Sequence, residues 1–249
     1  MTLAQQNISP ATQPPRRLYA IGDVHGRYDL LEKLLDMIAQ DAEQGEDEYN
    51  ALIFLGDYVD RGPNSKRVIE RLTMPPPAGF EMICLKGNHE DMLLKFLSSD
   101  GPVVSWLKNG GRETLKSYGL NVKNLSVSRV TDADIDQARD DLCALMPAAH
   151  LDFLDSLELI HVEGDYAFVH AGVRPGVDLN EQKETDLVWI RGEFLKSKTD
   201  FGKIVVHGHS IANQPQINAN RIGIDTGAWR TGVLTCLVIE GSRRRFLST

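Results

Sequence analysis

Three apolar runs early in the chain are each followed by a glycine-containing polar motif and then by a helical pattern. The runs are "RLYAIG", "ALIFLG" and "FEMICLKG", and the helical patterns are "DLLEKLLDMIA", "SKRVIERL" and "EDMLLKFL". Alternation of strand and helix is typical of a parallel sheet whose strands are joined by helical crossovers. The sequence therefore predicts an α/β fold.

The second half of the chain has two different patterns. Residues 98–160 are polar with helical stretches, and Thr131 or Asp132 can begin a helix while Gly119 can end one. We expect a mostly helical insertion there, acting as a cap. The later runs "YAFVHAG", "KIVVHGH", "RIGIDTGA" and "GVLTCLVIEG" favour a second sheet, and the short glycine-containing turns among the last of them suggest hairpins.

Length and composition indicate one globular domain. The chain has 249 residues with 42% hydrophobic content, which is enough for a sizeable core. The first residues are rich in Gln and Pro, so we expect a flexible tail over 1–16 and a single domain over 17–249. The composition predicts no oligomeric state.

The net charge argues against two classes of partner, and the cysteines indicate a reducing environment. A formal net charge of −8 argues against nucleic-acid and anionic-membrane partners, which require clustered cations. No apolar run approaches the ~18 residues of a membrane span. The three cysteines are far apart, and two lie in apolar runs, as expected of reduced thiols. These features favour a cytoplasmic protein.

The polar motifs "GDVHG", "GDYVDRG" and "GNHE" stand where strands end, at the edge where α/β sheets bind ligands. Asp23 and His25 could chelate one ion, although this motif alone is equally typical of a turn. Asp57 could bridge two cations, as carboxylates do in two-metal sites. His170 and His209 also follow apolar runs, and five such motifs together favour a site over isolated structural histidines.

The motifs "GDVHG", "GDYVDRG", "GNHE", "HAG" and "GHS", in this order between residues 22 and 210, resemble the phosphoprotein phosphatase family of binuclear metallophosphoesterases. The match is to its bacterial and phage branch, which "WIR" and "IDTGA" also resemble. The resemblance implies a calcineurin-like fold of four layers, in which helices flank a β-sandwich and two metals lie between the sheets.

The resemblance also implies two groups of metal ligands that share one carboxylate. The first group is Asp23, His25 and Asp57, and the second is Asp57, Asn88, His170 and His209. The expected ions are two divalent cations, with Mn²⁺ preferred and Fe or Zn as alternatives. An amide ligand such as Asn88 suits manganese or iron better than zinc.

The other site residues that the resemblance implies act on the substrate. His89, held by Asp60, would protonate the leaving oxygen, while Arg61 and Arg191 would bind phosphate together with Asn88. A hydroxide bridging the two metals would attack phosphorus directly.

Two further histidine and aspartate positions are interpreted as supporting residues. His207 precedes the histidine of "GHS" and is expected to be structural, and Asp225 is expected to form or support a turn. Trp106, in the predicted cap, is expected to pack in the core.

The predicted function is a metal-dependent phosphomonoesterase, most simply a serine/threonine protein phosphatase. Its substrate would be a phosphorylated protein or a small phosphoester. One alternative is a symmetrical diadenosine tetraphosphate hydrolase, but that branch lacks the acid at the position of Asp60. An alternative of another class is a catalytically silent binding module, which would be expected to lack a ligand or the Asp60–His89 pair.

Overall fold

The three predicted strand–helix units form one parallel layer in the computed structural model, which describes residues 16–44 and 49–249. Strands β1, β2 and β3 pair in parallel, and the helices α1, α2 and α3 follow them in turn. Their bounds are β1 Arg16–Ile21, α1 Tyr28–Glu43, β2 Tyr49–Phe54, α2 Ser65–Leu72, β3 Phe80–Cys84 and α3 Asn88–Leu97.

Strand β1 is buried on both faces, which explains its continuous apolar sequence. Leu18 and Ala20 belong to the core between the two sheets. Tyr19 and Ile21 belong to the core that packs under the helices. Because side chains alternate along a strand, one sheet supports both layers.

The chain returns to the first sheet at its end. Strand β9 (Thr235–Glu240) pairs antiparallel with β1, and β10 (Arg243–Ser248) pairs antiparallel with β9. The strand order is therefore β10-β9-β1-β2-β3. The expectation that the last run belongs to the second sheet is wrong, because β9 takes the free edge of β1.

The second sheet has the order β4-β5-β6-β8-β7. Its strands are β4 Ile160–Glu163, β5 Tyr166–Val169, β6 Ile204–His207, β7 Gln216–Ile217 and β8 Arg221–Gly223. Strands β5, β6 and β8 run parallel, so the expected sheet of hairpins is also wrong for these strands. Tyr166 and Phe168 face the first sheet, and a smaller apolar cluster around Phe194 covers the opposite face. The result is the four-layered α/β sandwich.

Helices occupy most of the stretch of chain between α3 and β4, the first strand of the second sheet. They are α4 Val103–Trp106, a π-helical turn Leu107–Gly111, α5 Arg112–Ser117, α6 Asp132–Leu145 and α7 Ala148–Asp155. Thr131 begins α6 as predicted, because its hydroxyl accepts the Asp134 N–H while the Asp134 carboxylate accepts the Thr131 N–H. The remaining helices are a 3₁₀ turn Leu179–Glu181, α8 Glu184–Trp189, α9 Gly192–Lys196 and α10 Ala228–Thr231.

The predicted N-terminal tail lies outside the described residues, except for Arg16. Arg16 is the first residue of β1 and pairs with Tyr49, so the expectation of a tail is wrong at that residue. None of the helices in the described ranges combines the length and apolar character that a membrane span requires. Cys84, Cys143 and Cys236 are free thiols, as expected.

Candidate metal centre

Strand ends from both sheets meet at one place. Asp23, Asp57 and Asn88 follow β1, β2 and β3, whereas His170 and His209 follow β5 and β6. The two sets are in contact, because the His209 backbone N–H donates to both carboxylate oxygens of Asp23 at 3.1 Å. Each sheet therefore contributes half of a single polar cluster.

Asp57 lies at the centre of the cluster, with one carboxylate oxygen directed to each side. Its Oδ2 is 3.4 Å from His25 Nε2, and its Oδ1 is 3.3 Å from His170 Nε2. The donor atoms form two groups whose members lie within 4.8 Å of one another, namely His25, Asp57 and His89, and Asp57, His170 and His209. A carboxylate shared in this way is suited to bridging two cations.

Potential ligand atoms of three side chains converge on the second side. The Nδ1 of His170 donates to the Leu55 carbonyl at 2.8 Å, so its Nε2 carries a lone pair. That Nε2 faces the Oδ1 of Asn88 at 2.9 Å as well as the Oδ1 of Asp57. Burial lowers the pKa of His170 to about 3, which keeps the ring neutral. An imidazole nitrogen, an amide oxygen and a carboxyl oxygen that face one another in a buried position fit a cation.

His209 and Asp23 add to this fit. His209 Nε2 is buried and has no hydrogen-bond partner among the described residues, although its Nδ1 lies 2.7 Å from Asn88 Oδ1. Burial and the neighbouring charges of Asp225 and Asp57 raise the pKa of Asp23 well above its ordinary value. A buried set of carboxyl, amide and imidazole groups is what a divalent cation requires.

Asp23 lies outside both donor groups, although the sequence resemblance implies it as a ligand of the first metal. Its two oxygens accept the His209 N–H. In the first group its place is taken by His89, which sequence reasoning assigns to proton transfer. The structure thus brings Asp57, Asn88, His170 and His209 together as expected.

His89 is held by a carboxylate and an arginine. Its Nδ1 is 2.7 Å from Asp60 Oδ2, and its Nε2 accepts a hydrogen bond from Arg61 at 3.1 Å. Burial first, and then the charges of Arg61 and Arg191, lower the pKa of His89 well below its ordinary value. A second nitrogen of Arg61 donates to His25 Nε2 at 3.0 Å, so the guanidinium spans the first donor group.

Arg191 stands at the rim of the cluster. It is exposed, directly before α9, and its charge also contributes to lowering the pKa of His170 and His209, after the larger effect of burial. It is thus within electrostatic reach of the centre but in a less constrained position than Arg61.

Backbone strain is concentrated at this centre. Of the six non-glycine residues with positive φ in the described chain, five belong to it: His25, Asp57, Asp60, Arg61 and His209. Such conformations cost energy and persist only where surrounding contacts hold them. The strand ends therefore turn sharply so that their side chains face the cluster.

Sequence reasoning missed the part that Glu90 plays. Its buried carboxylate accepts the backbone N–H groups of Asp57, Tyr58, Val59 and Gly87 at 2.7–3.2 Å. A local signal was present, since Gly87 and Glu90 have the spacing of a capping box. Glu90 thereby holds the strained turn that presents Asp57.

Trp106 and Thr114 also reach the centre, which sequence reasoning did not anticipate. Trp106 Nε1 donates to Asp60 Oδ2 at 2.9 Å, in addition to packing in the core as expected. Thr114 Oγ1 donates to Asp60 Oδ1 at 2.6 Å. These contacts join distant segments, so neither residue carries a local sequence signal.

The two residues interpreted as supporting have that position in the structure. His207 is the last residue of β6, packs against Phe194 and lies outside both donor groups of the described residues. Asp225 is buried and accepts the Gly227 N–H at 2.9 Å, which forms a turn.

Comparison with known proteins finds similarity to phosphoesterases. The family model described as calcineurin-like phosphoesterase matches residues 16–227. Serine/threonine-protein phosphatase 2 of Escherichia coli (strain K12) is 29% identical over 235 residues, which cover 90% of this chain and 94% of that protein. An asymmetrical bis(5'-nucleosyl)-tetraphosphatase PrpE of Halalkalibacterium halodurans is 25% identical over 236 residues, 87% of each chain.

One solved structure extends the comparison to the fold. The cold-active protein-tyrosine phosphatase of a psychrophilic Shewanella species superposes with a TM-score of 0.56 at 17% identity, covering 95% of this chain and 83% of that chain. At this identity the similarity establishes the fold alone.

Proposed function

The chain belongs to the calcineurin-like phosphoesterase family, and from that premise we propose that it is a protein phosphatase that hydrolyses phosphoserine and phosphothreonine. The family consists of metal-dependent hydrolases of phosphoesters. The finer assignment is supported by the relative named serine/threonine-protein phosphatase 2, which aligns over most of both chains.

The observation that carries the proposal is the hydrogen bond between His89 and Asp60, 2.7 Å long and fully buried. The alkoxide of serine or threonine is a poor leaving group and requires a proton as it departs. A nucleotide departs as a stable phosphate anion and has less need of one. A buried acid pair therefore favours phosphate esters of alcohols as substrates.

The family uses a binuclear metal centre, and this chain has residues suited to hold one. We assign Asp23, His25 and Asp57 to one ion. We assign Asp57, Asn88, His170 and His209 to the other. The mixed oxygen and nitrogen set favours manganese, with iron or zinc as alternatives. When bound, such ions polarise the phosphate and activate water.

His89 would act through its Nε2. With Nδ1–H donated to Asp60, the ring is oriented and its protonated form is stabilised. The charges of Arg61 and Arg191 contribute to lowering the pKa of His89. A bound phosphate dianion would counter those charges, so the substrate itself would favour the protonated ring. Nε2 would then donate its proton to the leaving oxygen.

Arg61 would exchange its partners when phosphate binds. Its guanidinium now donates to the Nε2 atoms of His25 and His89. A planar guanidinium can instead make two charge-assisted bonds to phosphate oxygens, which frees His89 Nε2 for proton transfer. Asn88 would add an amide contact, and Arg191 a second positive charge at the rim.

Hydrolysis of dinucleoside tetraphosphates is a second candidate, favoured by the similarity to the PrpE protein. Metal-stripped protein reloaded with Mn²⁺ should be assayed on a phosphoserine peptide and on diadenosine tetraphosphate, with His89→Asn in parallel. We expect preference for the peptide, and loss of that preference in the variant. Preference of the wild type for the dinucleotide would overturn the proposal, and turnover of neither would favour a binding module.

A further inference from the structure

Residues 103–117, comprising α4, the π-helical turn and α5, contact the turn that carries Asp60, one member of the proposed acid pair. We call them the clamp segment. Trp106 Nε1 donates to Asp60 Oδ2 at 2.9 Å, and Thr114 Oγ1 donates to Asp60 Oδ1 at 2.6 Å. The Arg61 N–H points to the Gly110 carbonyl at 3.4 Å. The clamp segment therefore contacts both Asp60 and Arg61, the two residues that hydrogen-bond to His89.

Thr114 joins the backbone of Asp60 to its own side chain. Its hydroxyl accepts the Asp60 N–H at 2.9 Å and donates to Oδ1 of the same residue. Asp60 has a φ of 71°, which is strained for a residue with a side chain. The hydroxyl is fully buried, so no water competes for these bonds. It thus fixes the rotamer of Asp60.

Trp106 and His89 share the other oxygen of Asp60. The indole N–H and the imidazole Nδ1 lie 2.9 Å and 2.7 Å from Oδ2. Trp106 is buried and packs against Phe96 with ring centroids 4.6 Å apart. With Thr114 on Oδ1, both oxygens are occupied, and the carboxylate has one orientation in which all three donors are satisfied.

The two glycines of the clamp segment allow this approach. A Cβ at Gly111 would overlap the indole ring of Trp106, and one at Gly110 would overlap the backbone of Arg61. Gly110 also has a φ of 110°, which residues with a side chain rarely adopt. The close contact with the Asp60–Arg61 turn therefore depends on both glycines.

From this geometry we infer that Trp106 and Thr114 are positioning residues of the reaction, which hold Asp60 so that His89 is aligned for proton transfer. The inference rests on the proposed function. The helical insertion then has a part in the chemical step, because it supplies two of the hydrogen-bond donors to the carboxylate that orients the acid.

The test compares substrates that differ in their need for a proton. Thr114→Val removes the donor to Oδ1 but leaves the Asp60 N–H bonded to Ser65 Oγ, which lies 3.0 Å away. Wild type and variant are assayed with Mn²⁺ on p-nitrophenyl phosphate, which has an activated leaving group, and on a phosphoserine peptide. We expect kcat for the peptide to fall about 10- to 100-fold and kcat for the aryl ester to change far less. Thr114→Ser, which keeps the hydroxyl, should restore the peptide rate.

Tyr118→Phe is the matched control, because it removes another buried hydroxyl next to the clamp segment. That hydroxyl pairs with His150 Nδ1 at 2.9 Å and does not touch Asp60. The Tyr118→Phe variant should leave the ratio of kcat for the peptide to kcat for the aryl ester unchanged, whatever the effect of the substitution on the melting temperature. Metal content is measured for every variant and should equal that of the wild type.

Equal slowing of both substrates in Thr114→Val, or the same change of ratio in Tyr118→Phe, would overturn the inference. Trp106→Phe removes the donor to the other oxygen of the Asp60 carboxylate. It should change the ratio of peptide to aryl-ester kcat in the same direction as Thr114→Val. If the wild type hydrolyses neither ester, the proposed function fails instead. The two failures are therefore distinguishable.

Discussion

Glu90→Gln is the substitution that most directly tests how the centre is held. Oε1 of Glu90 accepts the N–H groups of Tyr58 and Val59, and Oε2 accepts those of Asp57 and Gly87. Glutamine has the same shape, but one of its two terminal atoms is an NH₂ group. Whichever way the amide points, two buried N–H groups face a donor.

The expected loss follows from those two groups. A buried donor left without an acceptor costs about 1–3 kcal/mol, so two of them cost about 2–6 kcal/mol. A domain of this kind is stable by about 5–15 kcal/mol, and the variant should lose a large part of that. The loosened turn also carries Asp57, so metal affinity should fall.

The assay is urea unfolding of metal-free and Mn²⁺-loaded protein. Burial raises the pKa of Glu90 to about 7, so unfolding is measured above that pH, where the carboxylate is ionised. Glu32→Gln is the control, since Glu32 is partly exposed and bonds only to Arg71 in the described structure. It should change stability by less than about 0.5 kcal/mol. A loss of less than about 1 kcal/mol for Glu90→Gln would refute the reasoning.

Four further substitutions test other parts of the molecule. Replacing Asn88 or His170 by Ala should remove one of two bound metals, as measured by elemental analysis, and nearly all turnover. Each of these side chains belongs to the same cluster of proposed ligands. His89→Asn should leave metal content unchanged and slow esters with poor leaving groups more than activated ones. Asp41→Asn should destabilise the fold by about 1–3 kcal/mol at neutral pH, because Asp41 accepts a hydrogen bond from Arg245 at 2.6 Å.

The outcomes that would contradict these predictions are specific. Full activity with one bound ion would exclude the two-metal assignment, and equal slowing of all esters would exclude His89 as the acid. Although burial opposes it, the hydrogen bond from Arg245 holds the pKa of Asp41 below its ordinary value of 3.8. Its stabilisation is therefore present above pH 3.8 and lost as the pH falls through the lower folded value. A cost of Asp41→Asn that persists in acid would contradict this origin.

The strand-end positions of the site could be predicted because they depend on local pattern. Asp57 and Asn88 follow runs whose apolar periodicity indicates parallel strands, and parallel strands end at one edge. His170 and His209 also follow strands, β5 and β6, but the later runs were expected to form hairpins, so their shared edge emerges only from the parallel pairing in the structure. The sequence alone could predict a shared edge for Asp57 and Asn88, and the family resemblance was needed to place the two sheets' residues together.

The remaining features depend on contacts between segments that no local pattern reports. Trp106 looks like a core residue because it is one, and its indole N–H finds Asp60 only in the folded chain. The placement of β9 beside β1 was missed because apolar alternation states that a strand is buried, not which strand it adjoins. Asp23 shows a further limit, since motif order does not report that its carboxylate also accepts the His209 backbone N–H.

The position of β1 in its sheet affects how the protein folds during translation. Leu18 pairs in register with Ile239, so β1 has to wait for β9, which is synthesised much later in the chain, before its sheet is complete. His209, too, is synthesised late. A chain that ends before β9 therefore lacks both the closed sheet and part of the candidate centre, and we expect activity to begin only after His209 and β9 have been synthesised. Premature termination should yield inactive fragments with β1 as an open edge, open to aggregation and degradation.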